Sequence, residues 1–199
     1  MIITIDGYSC QGKSYVGRAL AEEMGLEFLA TGRLVRYGAF LFNQLQDGIS
    51  DTEVLLQKAV EIMKSTAVCD IVNCEYLETE ETERTLKITS EYPFVFEQVV
   101  RVIRAYAADR DIVLDGRFTF NIFPHAHRSY YFRSSVQRRA SLEVSSKNMS
   151  YDEALRYIAF RDSFEKQYLP ERVRIIDLAP DIRAGDLIQY LKNDIRNEG

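Results

Sequence analysis

The chain has 199 residues, 46% hydrophobic and 28% charged, which suits one globular domain and excludes a disordered or fibrous composition. A net charge of −5 excludes a general nucleic-acid surface, because binding a polyanion needs a basic face. Cys10, Cys69 and Cys74 share no metal-ligand spacing with the two histidines and give no disulfide framework, which points to a reducing cytoplasm; no apolar run reads as a leader or a membrane span.

In chain order, Met1 to Ile5 reads as a short apolar strand, followed by a glycine loop. Ser14 to Met24 is a helix with Val16, Ala19, Leu20 and Met24 at helical spacing, closed by Gly25. Leu26 to Leu29 is a second strand, and Thr31 to Gln46 a second helix through Leu34, Val35, Phe40, Leu41 and Leu45. A third helix spans Asp51 to Lys64 with Asp51 or Thr52 as its cap, and Val68 to Cys74 reads as strand. The acidic run Glu78 to Glu83 reads as a solvated face or loop. Pro93 opens a helix carrying Val95, Val99, Val100, Ile103 and Tyr106, which leads into the strand Ile112 to Leu114, ended by Asp115-Gly116.

Tyr130 to Phe132 is another strand. Two helices follow, the second opened by the capping box Ser150-Tyr151-Asp152-Glu153 and running to Tyr168, before Pro170. Val173 to Leu178 is the last strand and Ile182 to Ile195 the last helix. Strands alternating with amphipathic helices specify an α/β fold, a parallel sheet of about five strands covered on both faces. Its post-strand loops, with the glycines and Asp115, collect along one edge.

Gly7-Tyr8-Ser9-Cys10-Gln11-Gly12-Lys13-Ser14 fits G-x-x-x-x-G-K-[ST], with a strand before it and a helix after it. Gly7 and Gly12 let the backbone curl until successive N–H groups converge on a phosphate, and the positive end of the following helix adds to the field. Lys13 is placed to reach β and γ phosphates, and Ser14 to present a hydroxyl to Mg²⁺. Ser9, Cys10 and Gln11 complete the candidate ATP-binding loop. Cys10 reads as a bystander there, with a reactive thiol as the alternative. Asp115 follows a buried strand at the ligand edge and is the candidate partner of a Mg²⁺-bound water, with an Asp-Gly turn as the alternative.

Several blocks then resemble the cytidylate kinases of the nucleoside monophosphate kinase group. These are Ile3 to Gly7 with the loop and Tyr15 to Glu22, Thr31-Gly32 with Arg36, Asp115-Gly116-Arg117 with Phe123-Pro124, and Arg161-Asp162. The resemblance implies a P-loop kinase with a short lid at about 134–170 and a reduced acceptor-binding insert at about 31–92. Such an enzyme moves the γ-phosphoryl of ATP to a nucleoside monophosphate, with Mg²⁺ as cofactor and neither nucleic acid nor membrane as partner.

Holding two anionic groups in line requires arginines on the acceptor side, since a guanidinium matches phosphate bidentately. Lys13, Arg36, Asp115 and Arg117 are therefore the candidate catalytic residues, with Ser14 and Asp115 for the metal. The resemblance also places Arg139 on the ATP side, and Thr31, Arg36, Phe96, Arg117, Phe118, Arg161 and Glu165 on the acceptor side.

The chain departs from the family where the base is read. The family's serine, arginine and aspartate for cytosine fall on Lys87, Phe96 and Phe118, and aromatic rings leave the polar edge of cytosine unpaired. Ala30 replaces the aspartate before the family's [ST]G, Glu165 a later aspartate and Tyr168 an arginine. Leu142 and Glu143 stand where the family has paired lid arginines, so weaker stabilisation of the transferring group is expected unless Arg138 or Lys147 takes over. Of the aromatics, Phe94, Phe120 and Phe123 read as core, whereas Phe96 and Phe118 are candidates for facing ligand. Three functions stay open: a kinase of the cytidylate type with altered acceptor choice, a kinase of another small molecule, and an ATP-binding sensor without transfer.

Overall fold

The computed structural model describes residues 1–46, 49–147, 149–163 and 169–197. Strand β1 (Ile2–Gly7) pairs in parallel with β3 (Ile112–Asp115) on one side and with β4 (Arg128–Arg133) on the other. With β2 (Glu27–Ala30) and β5 (Arg174–Asp177), they form one five-stranded parallel sheet in the order β2-β3-β1-β4-β5. Side chains alternate across β1 as the pleat requires. Ile3 and Ile5 join Tyr130 and Phe132 on the face covered by α1 (Lys13–Met24) and α10 (Ala184–Arg196), while Tyr131 packs on the opposite face with Phe120 of the short α7 (Thr119–Ile122). Two further helices, α8 (Val136–Lys147) and α9 (Tyr151–Asp162), pack against each other through Ala140, Ala154 and Ile158. The capping box on Ser150 forms as its sequence specifies, with Ser150 Oγ accepting from Glu153 N at 3.3 Å and Glu153 accepting from Ser150 N at 2.7 Å.

The chain divides into two compact units, Met1–Leu29 with Asp111–Gly199, and Ala30–Arg110. The first holds the sheet. The second is helical: α2 (Thr31–Leu45), α3 (Thr52–Ser65), α4 (Val68–Asn73), a 3-10 turn (Glu75–Leu77), α5 (Glu80–Ser90) and α6 (Pro93–Ala107). Its core joins Phe42, Leu55, Leu56, Val60 and Val95. Asp51 caps α3 as expected, accepting from Glu53 N at 2.9 Å and Val54 N at 3.1 Å.

One element of this unit differs from the sequence reading. Val68 to Cys74 is helix and not strand: Ile71 is its one buried side chain, so there is no alternating face to pair, and Asp70 N and Ile71 N both donate to Ala67 O. The acidic run agrees with the solvated face, one of its two readings: Glu80 and Glu81 are exposed in the first turn of α5. Thr79 caps it by accepting from Thr82 N, and Glu80, Glu81 and Glu83 fill the first turn, where negative charge complements the helix dipole. Among the described residues, no helix is long and apolar enough to cross a membrane.

Candidate phosphate-binding site

Between the end of β1 and the start of α1 the backbone takes positive φ three times, 139° at Gly7, 79° at Gly12 and 65° at Cys10. At Gly7 a β-carbon would lie 2.4 Å from the carbonyl oxygen of Phe132, its register partner in β4, so only glycine lets the loop leave the sheet there. Cys10 is not glycine, and holding it in the left-handed region costs about 1–2 kcal/mol, which the surrounding packing must offset. Helix α1 starts with neither a side-chain cap nor an acidic residue in its first turn, leaving its positive end to face an anion.

The side chains expected here converge. Lys13 Nζ donates to the carbonyl of Tyr8 at 2.6 Å, crossing the loop from its far end. Ser14 Oγ donates to Asp115 Oδ2, a contact set by the sheet, since Ile5 and Asp115 are register partners in β1 and β3. Arg117 Nη2 donates to Ser9 Oγ. Ser14 and Asp115 together offer oxygen ligands only, and among the described residues no group of three His, Cys, Asp or Glu side chains surrounds a metal. That donor set fits Mg²⁺, which keeps several waters and takes phosphate oxygens, better than a metal needing an all-protein cage.

Behind the loop lies Asp6, to which the sequence alone gives no role. Asp6, fully buried, accepts from Thr119 N at 2.7 Å, Thr119 Oγ1 at 2.6 Å and Phe120 N at 3.0 Å, so it ties the start of α7 to the strand below the loop. Burial pushes its carboxyl up to about 6, against the pull of these donors and of Lys13. Gln11 is buried, and its Oε1 accepts from Ser134 Oγ at 3.4 Å. Arg139 pairs through both terminal nitrogens with Asp162 at 2.8 and 2.6 Å, while its Nη1 also reaches Ser9 O at 3.4 Å and its guanidinium lies 5.2 Å from the Tyr8 ring centre.

Cys10 packs with Ala140, Val144, Ala154, Leu155 and Ile158 of the same two helices. Burial, and then the neighbouring Glu143 carboxylate, push its thiol up to about 12, which disfavours the thiolate. Glu143 is buried and paired with Lys147 at 3.0 Å, so its charge is met one helical turn away. Arg138 donates through Nε to Ala179 O at 3.2 Å. Arg161 is buried 6.0 Å from the Tyr157 ring centre.

The remaining candidates are dispersed. Thr31, Arg36 and Phe96 belong to the helical unit. Thr31 is buried at the start of α2, and Arg36 holds Glu83 Oε1 through Nε and Nη2, both at 2.8 Å. Phe96 on α6 is 48% exposed, while Phe118 and Phe123 in the sheet unit are half-buried and Phe120 is fully buried. Lys87 is exposed on α5. Glu165 and Tyr168 lie outside the described residues.

The parallel sheet with a glycine loop feeding α1 defines a P-loop kinase fold. Solved structures agree on the fold. Shikimate kinase from Bacteroides thetaiotaomicron matches with a TM-score of 0.54 at 10% identity, covering 98% of each chain. A gluconokinase from Sinorhizobium meliloti matches with a TM-score of 0.50 at 15% identity, covering 97% of this chain and 90% of its own.

The chain belongs to the cytidylate kinase family, whose model matches residues 3–181. The cytidylate kinase of Rhodopirellula baltica is 32% identical over 170 residues, 78% of this chain and 72% of that protein. That of Thermodesulfovibrio yellowstonii is 31% identical over 179 residues, 81% of this chain and 80% of that protein.

Proposed function

We propose that this chain transfers the γ-phosphoryl group of ATP to the phosphate of a nucleoside monophosphate or a closely related small acceptor. The observation that carries the reading is the convergence of Lys13, Ser14, Asp115 and Arg117 on one glycine loop in a member of the cytidylate kinase family.

The roles follow from charge and reach. Gly7 to Ser14 cradle the donor phosphates with backbone N–H groups, and Lys13 turns from Tyr8 O to the β and γ oxygens. Ser14 and Asp115 hold Mg²⁺, directly or through water, and the ion when bound offsets charge on the phosphate oxygens. Arg117 in the sheet unit, with Arg161 as a further guanidinium, and Arg36 in the helical unit are the cations each unit offers to an acceptor's phosphate. Thr31 and Phe96 are the helical unit's candidates for touching the acceptor and Phe118 the sheet unit's, and Arg139 supports the donor side. The segment at about 31–92 acts as the acceptor-binding insert, and 134–170 as the lid that excludes water.

A second reading has a specific observation in its favour. Phe96 is half exposed where cytosine-reading groups are expected, and Arg36 already holds a carboxylate, both of which suit an acceptor other than cytidylate. Coupled ADP release with a panel of nucleoside monophosphates and sugar-like alcohols separates the two. Turnover that depends on a monophosphate supports the first reading, turnover only with an alcohol supports the second, and ATP binding without turnover on any acceptor removes both.

A further inference from the structure

Arg139 of α8 is a tightly held guanidinium beside the loop. Its side chain is 4% exposed, and both terminal nitrogens bond the carboxylate of Asp162, the last residue of α9. A bidentate pair fixes the plane of the guanidinium as well as its position. From that fixed plane, Nη1 reaches the carbonyl of Ser9 and the cation sits on the Tyr8 ring, so one side chain joins both helices to the second and third residues of the loop. Ser9 is gripped from its other end as well, through its hydroxyl, by Arg117. The next residue, Cys10, keeps its left-handed backbone while its side chain packs against Ala140, Ala154 and Ile158 of the same helices.

Three successive loop residues are thus fastened to the α8–α9 pair by protein groups alone. We infer that Asp162 is a positioning residue for the donor loop: by locking Arg139 it holds Tyr8, Ser9 and Cys10 in their phosphate-receiving shape before any nucleotide enters. In this chain the α8–α9 pair therefore braces the donor loop through Arg139. The inference deepens the donor-site reading and rests on it.

The test uses the full chain with Asp162→Asn, Asp162→Glu, Arg139→Gln and the double variant Arg139→Gln/Asp162→Asn. The readouts are hydrogen exchange of the 8–13 amides without ligand, affinity for a non-hydrolysable ATP analogue, and KM for ATP against KM for the acceptor. Asp162→Asn is expected to speed exchange in the loop while leaving β1 and β3 protected. It should weaken analogue binding about tenfold, as loss of an outer partner does for a held ligand group, and leave the acceptor KM unchanged. Asp162→Glu should recover part of the loss, and the double variant should be no worse than Arg139→Gln, because the two residues act as one unit.

Unchanged loop exchange in Asp162→Asn overturns the inference. So does analogue binding that weakens in Arg139→Gln but not in Asp162→Asn, since Arg139 would then act on the nucleotide directly. If the wild type binds no ATP analogue, it is the donor reading that fails, and the exchange measurement still decides the brace. If Asp162→Asn does not fold, Arg139→Lys replaces it: that change keeps the charge and removes the fork, and a loop that exchanges no faster overturns the inference.

Discussion

Replacing Gly7 by alanine should damage the protein far more than the same change at Gly12, although the two glycines are equivalent in the motif. At Gly7 the new methyl meets the backbone oxygen of Phe132 at 2.4 Å, with the carbonyl carbon and the nitrogen of that residue both at 3.3 Å. Backbone cannot swing aside as a side chain can, so β1 must move by about 1 Å from β4 at the last pair of their ladder. Overpacking of one methyl costs about 1–3 kcal/mol. The positive φ of 139° adds about 1–2 kcal/mol, giving about 2–5 kcal/mol in all. At Gly12 nothing lies within 4 Å of the built β-carbon, and only the backbone term applies, about 1–2 kcal/mol.

For a chain of this size each kcal/mol lowers Tm by about 2–4 °C. Thermal unfolding followed by circular dichroism should therefore show a fall of about 4–20 °C for Gly7→Ala and a smaller one of about 2–8 °C for Gly12→Ala. Equal losses, or a larger loss at Gly12, would refute the reasoning from the sheet contact.

Three further outcomes are expected. Asp6 has a folded value of about 6 against an ordinary 3.8, so the stability it contributes is full below pH 3.8 and is lost as pH rises through about 6. Chemical denaturation of Asp6→Asn should accordingly lack about 2 kcal/mol of the wild type's decline between pH 4.5 and 7.5, and parallel profiles would contradict the shift. With iodoacetamide at pH 8, exposed Cys69 should alkylate at least about a hundredfold faster than Cys10, which is half-buried with its thiol raised to about 12; equal rates by mass spectrometry would contradict the packing at the loop. Tyr130→Phe removes the bond that the buried hydroxyl donates to Asp194 at 2.6 Å and should cost about 1–3 kcal/mol, with faster hydrogen exchange in α10; an unchanged denaturation midpoint would show that Arg128 and Arg174 suffice to hold Asp194.

The glycine loop and the side chains that meet on it are legible in the sequence because their signals are local. The apolar run of β1, the glycine spacing and the helix period sit side by side, and Asp115 is tied to Ser14 by two strands whose ends both read clearly. Longer-range partners are not legible. Asp6 finds Thr119 and Arg139 finds Asp162 only once the chain has folded, and nothing in the spacing announces either pair. Glu143 carries a signal that is easily passed over: Lys147 stands four residues on, the spacing of a helical ion pair, and the structure uses it to meet the charge that the sequence leaves beside the phosphates. In the helical unit the β-branched residues of Val68 to Cys74 suggest a strand, and a single buried position, Ile71, decides for helix.

The central claim is phosphoryl transfer at the loop, and the most direct measurement is passage of label from γ-labelled ATP to cytidylate and the other nucleoside monophosphates, compared between the wild type and Lys13→Met. The account predicts label in a nucleoside diphosphate with the wild type and a loss of at least about a hundredfold in Lys13→Met with folding intact. Label that reaches no acceptor while ATP binds, or equal transfer by the two proteins, would contradict it.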